Sequence, residues 1–482
     1  MMFKKQRLHP IAILLHTLKI LVQIVRHYYV VIIATMIALR DIPLIYLMLI
    51  LLGVILIAGI IGVLWWYRLT YEISGDELII QHGIFIRKQR FISRHRIQSI
   101  DLTAHVIHRL FHLVKVDIKT AGSKDGAEAT LSAVTLKKGE RLRQQMLMVR
   151  QSFKQDEEKQ RLNKRPSVKV SFKSLFIAGS TSGSIGVMLS VIIAVFFKIE
   201  QYIPSHYYDL TVNYVVGLSI IILIGFLCII FILLWLLSIA RTIIKYGHFT
   251  ITKRDHELLV TRGLLEKKQL TIPLHRVQAI EIEKSIIRQP LGYARIIAVV
   301  AGGAETDDEF PVLCPIIKVR DIENFLQTFL PDQAGIDQPL KSLPKRACKF
   351  YMIRSLFPVI IVSIGMIYFL PQLSWLLLII LILSLSLGIL RFYDSGYRTD
   401  NRRIIIRFRK IFNLSTVIMH RNRIQAFRVK QHKIQQRERL ANLHLSIIGS
   451  AGLGTHYTLK DMHEADIQRV YQWFSYRMHR SI

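Results

Sequence analysis

The sequence Arg96-Ile97-Gln98-Ser99-Ile100 decides the fold, because it has close copies at Arg276-Val277-Gln278-Ala279-Ile280 and Arg423-Ile424-Gln425-Ala426-Phe427. Each copy follows two apolar stretches of about the length that spans a membrane. A pattern that recurs in this way indicates one supersecondary unit used more than once. We therefore expect three related units, each carried by its own membrane hairpin.

The composition is typical of a membrane protein with large aqueous parts. Apolar residues make up 51% of the 482-residue chain, and the mean hydropathy is +0.35. Lys and Arg number 65 against 33 Asp and Glu, a formal net charge of +32. This excess favours an anionic partner, either nucleic acid or the inner leaflet of a membrane. The three cysteines argue against a disulfide framework and against a zinc site.

Six membrane-spanning helices in three hairpins are expected from the apolar stretches. The predicted spans are Tyr28–Leu39, Ile42–Trp66, Leu175–Phe197, Val212–Ile239, Ser355–Leu370 and Leu373–Leu390. The first of these is short. Residues 11–26 are therefore interpreted either as a separate interfacial amphipathic helix or as the amphipathic start of the first span.

The distribution of basic residues predicts the orientation. The short connectors within the hairpins contain only Arg40 and Lys198 of the 65 basic residues. Lys and Arg concentrate on the cytoplasmic side of membrane proteins, both in short loops and in the flanks of the spans. Both termini and all three polar segments are therefore expected in the cytoplasm, beside the plasma membrane.

Each polar segment has the pattern of short antiparallel strands followed by an amphipathic helix. Gly83 and Gly263 lie at matching distances before the motif and predict hairpin turns, whereas Lys410 holds that place in the third segment. The predicted apolar stripes of the closing helices are Leu142, Met146 and Val149; Ile322, Phe325, Leu326 and Phe329; and Ile467, Val470, Tyr471 and Phe474. Such a helix can close one open end of a curved sheet.

The predicted division of the chain follows from these elements. It comprises residues 1–66 (N-terminal amphipathic helix and first hairpin), 67–150 (first unit), 151–173 (linker), 174–240 (second hairpin), 241–330 (second unit), 331–349 (linker), 350–390 (third hairpin) and 391–482 (third unit).

This order of elements resembles the bacterial pleckstrin-homology domain of the second type. Its triplication after three two-span hairpins is similar to the YdbT-like membrane proteins of Gram-positive bacteria, over nearly the whole chain. The resemblance implies an α+β membrane protein with six transmembrane helices and three cytoplasmic PH-like split β-barrels, each capped by a C-terminal helix. It also implies no established catalytic activity, and a partner with one hairpin and one such domain. The third copy departs most, with Asn422 in place of His95 and His275.

Two interpretations of the basic residues remain open. Arginines can hold lipid phosphate through paired hydrogen bonds, or they can satisfy backbone groups at strand ends, which the repetition favours for the motif. Basic strand faces can likewise lie against an anionic leaflet or simply be solvated. The candidate lipid or partner surface is Arg87, Lys88, Arg90, Arg94, Arg96, Arg276, Arg407, Arg409, Lys410 and Arg423, and the repeated motif adds Gln98, Gln278 and Gln425. Arg354, near the start of the fifth span, is expected to extend towards the interface.

No catalytic, cofactor-binding or metal-binding residue is predicted. The sequence has no phosphate-cradling Gly-Lys-Ser/Thr loop and no nucleophile elbow. His105, His108 and His112 would share a helical face, but no carboxylate or cysteine accompanies them. We therefore expect a non-enzymatic scaffold that binds a protein partner, anionic lipids or both.

The alternative is a subunit of a transport or envelope-stress and antimicrobial-resistance complex. Its support is the small-residue run Gly179-Ser180-Thr181-Ser182-Gly183-Ser184-Ile185-Gly186, which permits close helix packing. Nucleic-acid binding is disfavoured, because no recognised fold or interleaved aromatic pattern accompanies the charge.

Overall fold

The structure is a computed structural model that describes residues 5–38, 44–120, 129–147, 166–182, 220–301, 311–336, 338–369, 374–449 and 454–475. The chain divides into two compact units. Unit 1 comprises Met1–Asn163 and Leu265–Thr271, and unit 2 comprises Lys164–Leu264 and Ile272–Ile482. Both contain helices and antiparallel sheets, so the fold is α+β.

The structure contains long apolar helices and shorter helices. They are α1 (Ile11–Ala38), α2 (Leu44–Arg68), α3 (Val106–Leu110), α4 (Leu136–Leu147), α5 (Phe172–Ser180), α6 (Ile220–Tyr246), α7 (Ile322–Phe329), α8 (Ala347–Phe369), α9 (Leu376–Asp394), α10 (Lys433–Arg437) and α11 (Glu464–Ser475). Within the described ranges, five helices are long and apolar enough to cross a membrane: α1, α2, α6, α8 and α9.

The strands fall into three groups, one in each repeat. They are β1 (Gln6–Arg7), β2 (Thr70–Ser74), β3 (Glu77–His82), β4 (Lys88–Ser93), β5 (Ile97–Ala104), β6 (Leu113–Thr120) and β7 (Ala129–Thr135); β8 (Ser167–Lys169), β9 (Thr250–Arg254), β10 (Glu257–Arg262), β11 (Lys267–Pro273), β12 (Val277–Lys284), β13 (Tyr293–Val300) and β14 (Val312–Lys318); and β15 (Lys341–Ser342), β16 (Gly396–Thr399), β17 (Arg403–Arg409), β18 (Leu414–His420), β19 (Ile424–Lys430), β20 (Leu440–Ile448) and β21 (Gly454–His463).

Unit 1 contains two sheets around one core. The first has the order β1-β2-β3-β4, and the second has β7-β6-β5, with the start of β11 paired to the free side of β5. Side chains alternate along these strands, so Leu78 and Ile92 from the first sheet and Ile100 and Val116 from the second are almost fully buried. Helix α4 packs on β5, β6 and β7.

Unit 2 contains three groups of strands. They are β8-β9-β10, a sheet ordered β14-β13-β12-β18-β17-β16-β15, and a sheet ordered β19-β20-β21. The last two sheets share a core with the start of α8 and with α11, in which Val417, Leu443 and Ile467 are buried. Pairing of β12 with β18 joins the second and third repeats.

Two paired strands flank each predicted membrane hairpin. The strand before a hairpin pairs antiparallel with the strand after it: β1 with β2, β8 with β9, and β15 with β16. The predicted linkers 151–173 and 331–349 thus each contain a strand, which sequence periodicity did not reveal because the strands are only three and two residues long. The chain enters and leaves each hairpin at the same sheet edge.

The predicted spans agree with the helices in part. Residues 11–26 form the first half of the continuous helix α1 instead of a separate interfacial helix. Helix α8 begins at Ala347, earlier than the predicted Ser355, with Pro358 inside it. Most of the predicted span Leu175–Phe197 and the start of Val212–Ile239 lie outside the described residues, so a sixth span stays a prediction.

The turns before the motif follow the prediction. Gly83 and Gly263 have φ of 118° and 108°, which favour glycine, and a Cβ on Gly83 would collide with the Ile86 carbonyl oxygen. The third turn is closed differently, since the Lys410 amide donates to the Asn413 carbonyl at 2.8 Å.

The Arg-x-Gln motif marks a break between two strands. A 3₁₀ turn ends on its arginine in every repeat: Arg94–Arg96, Leu274–Arg276 and Arg421–Arg423. The strand before the turn belongs to one sheet, and the strand after it belongs to a different sheet.

The closing helices bury most of the predicted stripe. Ile322, Phe325, Leu326 and Phe329 are buried, as are Leu142, Met146, Ile467 and Val470. Tyr471 is 54% exposed, so the third stripe is narrower than predicted. Val149 lies outside the described residues.

Candidate functional site

A cleft of about 460 Å³ opens in unit 2, where the ends of α8 and α9 meet β17 and β21. Five Lys and Arg side chains line it together with one carboxylate: Arg354, Arg391, Arg409, Lys410, Lys460 and Glu281. Opposite charges balance only part of this set. The cleft is therefore the candidate site for an anionic ligand.

Three of the five cations are held in ion pairs. The pairs are Arg354 Nη2 with Asp461 Oδ2 at 2.9 Å, Arg409 Nη2 with Asp394 Oδ2 at 2.5 Å, and Lys410 Nζ with Glu281 Oε1 at 2.8 Å. The Asp461 side chain has no exposed surface and also accepts a hydrogen bond from Gln435 Nε2 at 2.5 Å. Charges removed from water in this way need their partners, so these three cations serve mainly to hold the walls together.

Arg391 and Lys460 have no ionic partner among the described residues. Arg391 Nη1 donates to Ser355 Oγ at 3.2 Å, while its buried Nε has no hydrogen-bond partner among the described residues. Burial and the nearby Arg354 and Arg391 guanidinium groups lower the pKa of Lys460 below its ordinary value, against the opposing effect of the Asp461 carboxylate. Arg391 and Lys460 thus lie near other cations without an ion pair of their own, an arrangement that a bound anion would stabilise.

Hydroxyl groups complete the wall of the cleft. The Tyr351 hydroxyl donates to Ser395 Oγ at 3.3 Å and lies 3.2 Å from the Lys460 carbonyl oxygen. Burial and the neighbouring Glu281 raise the pKa of Tyr457, which keeps its hydroxyl protonated. Thr455 and Thr458 add two further hydroxyls. Positive charge beside hydroxyl groups is chemistry that binds a phosphate group.

The cleft lies at the ends of two candidate spans. Arg354 is near the start of the stretch Ala347–Tyr368, and Arg391 is near the end of Leu376–Asp394. Apolar side chains on these helix ends are exposed, among them Phe357 at 66% and Tyr393 at 71%. Basic side chains at the end of an apolar helix lie at the depth of lipid head groups.

The structure alters the prediction for the third basic strand. Arg409 is only 8% exposed and donates to Asp394, to the Phe412 carbonyl and to Gln289 Oε1. Arg407 Nε donates to the Asp394 carbonyl at 3.0 Å. Both arginines tie β17 to the end of α9, so they do not form an open basic face; Lys410 lines the cleft.

The predicted residues of the first repeat lie in unit 1. Arg87, Lys88, Arg90 and Arg96 are exposed, on β4 or beside it. Arg94 is half-buried and lies 3.4 Å from Asp76. This group remains a candidate surface, built along one strand edge instead of around a cleft.

The motif residues make contacts with the backbone. Gln278 Nε2 donates to the Arg276 carbonyl at 3.0 Å, and Arg423 Nη2 donates to the His275 carbonyl at 2.6 Å. Gln425 is exposed, and the Gln98 side chain lies outside what is described. The contacts of Gln278 and Arg423 are those expected if the motif satisfies backbone groups at strand ends.

Sequence reasoning did not bring Arg354, Arg391 and Lys460 together as a candidate site. It expected Arg354 only to extend towards the interface. Arg354 instead pairs with the buried Asp461, more than a hundred positions along the chain. A basic residue inside an apolar helix was the available signal, since such residues usually have a partner or a function.

The predicted absence of a metal centre concerned three histidines of the first repeat. His108 Nε2 lies 2.7 Å from the Ser132 carbonyl oxygen, and His105 Nδ1 lies 3.2 Å from Glu266 Oε1. In the ranges that the structure describes, no group of three His, Cys, Asp or Glu residues is arranged to hold a metal ion.

Comparison with known proteins gives a family match and a full-length relative. The family described as Bacterial PH domain matches residues 21–149, 189–330 and 357–478. The chain is 30% identical over 491 aligned residues to the UPF0699 transmembrane protein YdbT of Bacillus subtilis (strain 168), and 99% of each chain is covered. No solved structure matches the chain. Each matched segment contains one copy of the Arg-x-Gln motif.

Proposed function

The chain belongs to the bacterial PH domain family, and on that premise we propose that it is a non-enzymatic membrane scaffold. Six spans in three hairpins carry three PH-type units, all in the cytoplasm beside the plasma membrane. The ligands are the phosphates of anionic lipids and a protein partner, a smaller membrane protein with one hairpin and one PH-type domain. The excess of basic residues outside the hairpin connectors supports the orientation.

The observation that carries lipid binding is that Arg391 and Lys460 have no ion pair among the described residues. These two cations share a cleft with three ion pairs whose charges are already balanced. A lipid phosphate between them would receive charge-assisted hydrogen bonds while its acyl chains lie along the exposed apolar surface of α8 and α9. Free phosphate has the same head-group chemistry without the apolar part.

Lipid retention by the full chain tests this proposal. Wild type and the Arg391→Gln/Lys460→Gln variant are reconstituted with equal amounts of phosphatidylglycerol and phosphatidylcholine, extracted into detergent, and analysed for retained lipid. We expect wild type to retain phosphatidylglycerol selectively, and the variant to lose about tenfold or more, because two charge-assisted bonds disappear.

The matched control removes the same charge elsewhere in the third repeat. Lys433 and Arg437 are exposed on α10 and do not line the cleft, so Lys433→Gln/Arg437→Gln is expected to leave retention unchanged. Inorganic phosphate in the extraction buffer distinguishes an anionic lipid from free phosphate as the ligand. A site for free phosphate would exchange its bound lipid completely for inorganic phosphate. Equal retention by wild type and the cleft variant would contradict the proposal.

The small-residue run no longer favours the alternative of a transport or envelope-stress subunit. A Cβ on Gly179 would lie 2.8 Å from the Ile239 Cα, and Ser238 Oγ donates to the Gly179 carbonyl at 3.2 Å. The described part of the run therefore packs α5 against α6 within its own hairpin. No specific observation in the described residues favours transport over the scaffold.

A further inference from the structure

Two strand pairings inside the chain follow one rule. In unit 1, β5 pairs with β11, and in unit 2, β12 pairs with β18. In both cases the strand after one Arg-x-Gln motif pairs antiparallel with the strand before the next motif. The register is also the same, since Leu102 lies opposite Gln269 and the equivalent Ile282 lies opposite Thr416. The pairing is thus a property of the repeat.

Strand β4 holds in the first repeat the place of β11 and β18. Among the described residues, its ladder has a neighbour on one side only, β3. Its Phe91 is 56% exposed, whereas the equivalent Thr271 and Ile418 are 3% and 0% exposed. The edge of β4 therefore resembles the edges that pair at the two internal junctions, but no strand in the described part of the chain covers it.

The apolar surface continues into the turn that leads to β4. Phe85 is 97% exposed and Ile86 is 73% exposed. An open strand edge with large exposed apolar side chains is a template for pairing with another strand, unless the protein protects it. The charges on β4 and on the strands that could pair with it indicate which strand covers this edge.

The covering strands at the internal junctions carry carboxylates. Asp101 on β5, and Glu281 and Glu283 on β12, lie on the strands that follow a motif. Strand β19 follows the third motif, has β20 as its neighbour in the described residues, and carries Arg428 and Lys430 in the places of Glu281 and Glu283. The open strand after the third motif is therefore opposite in charge to its two counterparts.

This charge reversal disfavours a second copy of the chain as the occupant. In the register of the internal junctions, β19 of one copy would place Arg428 opposite Arg90 and Lys430 opposite Lys88 of the other. Like charges directly opposite each other destabilise a strand pair. A strand with carboxylates at both places would make two favourable pairs.

We propose that β4 receives an antiparallel strand from a PH-type domain on a separate protein, and that this strand carries carboxylates at the places of Glu281 and Glu283. Main-chain hydrogen bonds along β4 supply affinity, and the carboxylates opposite Arg90 and Lys88 supply selectivity. The added strand and its domain cover Phe91. This inference rests on the protein-partner part of the proposed function and does not depend on the lipid cleft.

Disulfide cross-linking between two tagged full-length chains tests the inference, in a background with Cys228, Cys314 and Cys348 replaced by Ala. The acceptor chain carries Gln89→Cys. The donor carries Val429→Cys, which faces Gln89 in the shared register, together with Arg428→Glu and Lys430→Glu. The acidic donor imitates the proposed partner strand, and the control donor keeps Arg428 and Lys430.

After co-expression and oxidation of the membranes, we expect about tenfold or more cross-linked heterodimer from the acidic donor than from the control, because two repulsive pairs become attractive. Lys88→Glu/Arg90→Glu in the acceptor should reverse this preference. Equal yields from both donors would identify a second copy as the occupant and overturn the inference. The absence of cross-linked product from both donors would also overturn it. Phosphatidylglycerol retention and thermal unfolding of the same samples report folding and the lipid cleft independently.

Discussion

Basic residues of the third and first repeats have opposite surroundings although the sequence shows them as similar runs. Arg409 is buried among hydrogen-bond acceptors from three segments, whereas Lys88 is exposed on an open strand edge. A positive net charge therefore does not define one surface. In the third repeat Arg354, Arg407 and Arg409 hold the ends of the candidate spans to the domain, whereas Arg391 and Lys460 have no ion pair among the residues that the structure describes. In the first repeat Lys88 and its neighbours Arg87 and Arg96 stay at the surface.

The largest expected difference concerns the carboxylates that pair with these cations. Asp461→Asn leaves the half-buried Arg354 without its partner, so we expect the free energy of unfolding to fall by about 3 kcal/mol or more. Asp76→Asn in the first repeat breaks a pair with a 62% exposed carboxylate and should cost less than about 1 kcal/mol. Thermal unfolding of the detergent-solubilised chain measures both. Equal losses would remove the distinction between structural and surface charge.

The turn before the motif gives an intermediate effect. Gly83→Ala combines a positive φ with a Cβ that meets the Ile86 carbonyl, so we expect a cost of about 1–3 kcal/mol. Gly59→Ala, where a Cβ meets nothing within 4 Å, is the control and should change stability little. The same unfolding measurement applies, and an unchanged Gly83→Ala protein would contradict the account of this turn.

The smallest expected effect is a gain in stability, whereas Asp461→Asn and Gly83→Ala are expected to lower it. The lowered pKa of Lys460 means that its ammonium form destabilises the folded state, and this cost is fully present below the folded-state pKa. Stability gained from its deprotonation appears as the pH rises from that pKa towards the ordinary value for lysine. We therefore expect Lys460→Met to raise the unfolding temperature slightly at neutral pH without bound anionic lipid, and Lys88→Met to leave it unchanged. A lower unfolding temperature for Lys460→Met would show that its charge is compensated.

Local patterns were sufficient to predict many elements of the fold. Alternating and helical periodicity located strands and closing helices, and a glycine at a fixed distance from the motif located two turns. These signals depend on neighbours within a few residues. Strands β8 and β15 were missed because three and two residues are too few to establish a period.

The candidate site was less predictable because its contacts join distant parts of the chain. Strand alternation puts Arg407 and Arg409 on one side of β17, but it does not say which acceptors that side meets. The pairing of Arg354 with Asp461 and the approach of Lys460 to Arg391 depend on how α8 and α9 meet β21. The sequence alone revealed the repeat, whereas the pairing of strands between successive repeats became evident only from the observed sheet order.

The central claim is that all three PH-type units lie on the cytoplasmic side of the membrane, where cleft and strand edge meet their ligands. Single cysteines at Lys88, Lys253 and Lys433, in a chain without the three native cysteines, can be probed with a membrane-impermeant maleimide in intact and permeabilised cells. The account predicts labelling at all three positions only after permeabilisation, while Tyr207→Cys in a predicted hairpin connector reacts in intact cells. Labelling of any of the three domain positions in intact cells would contradict it.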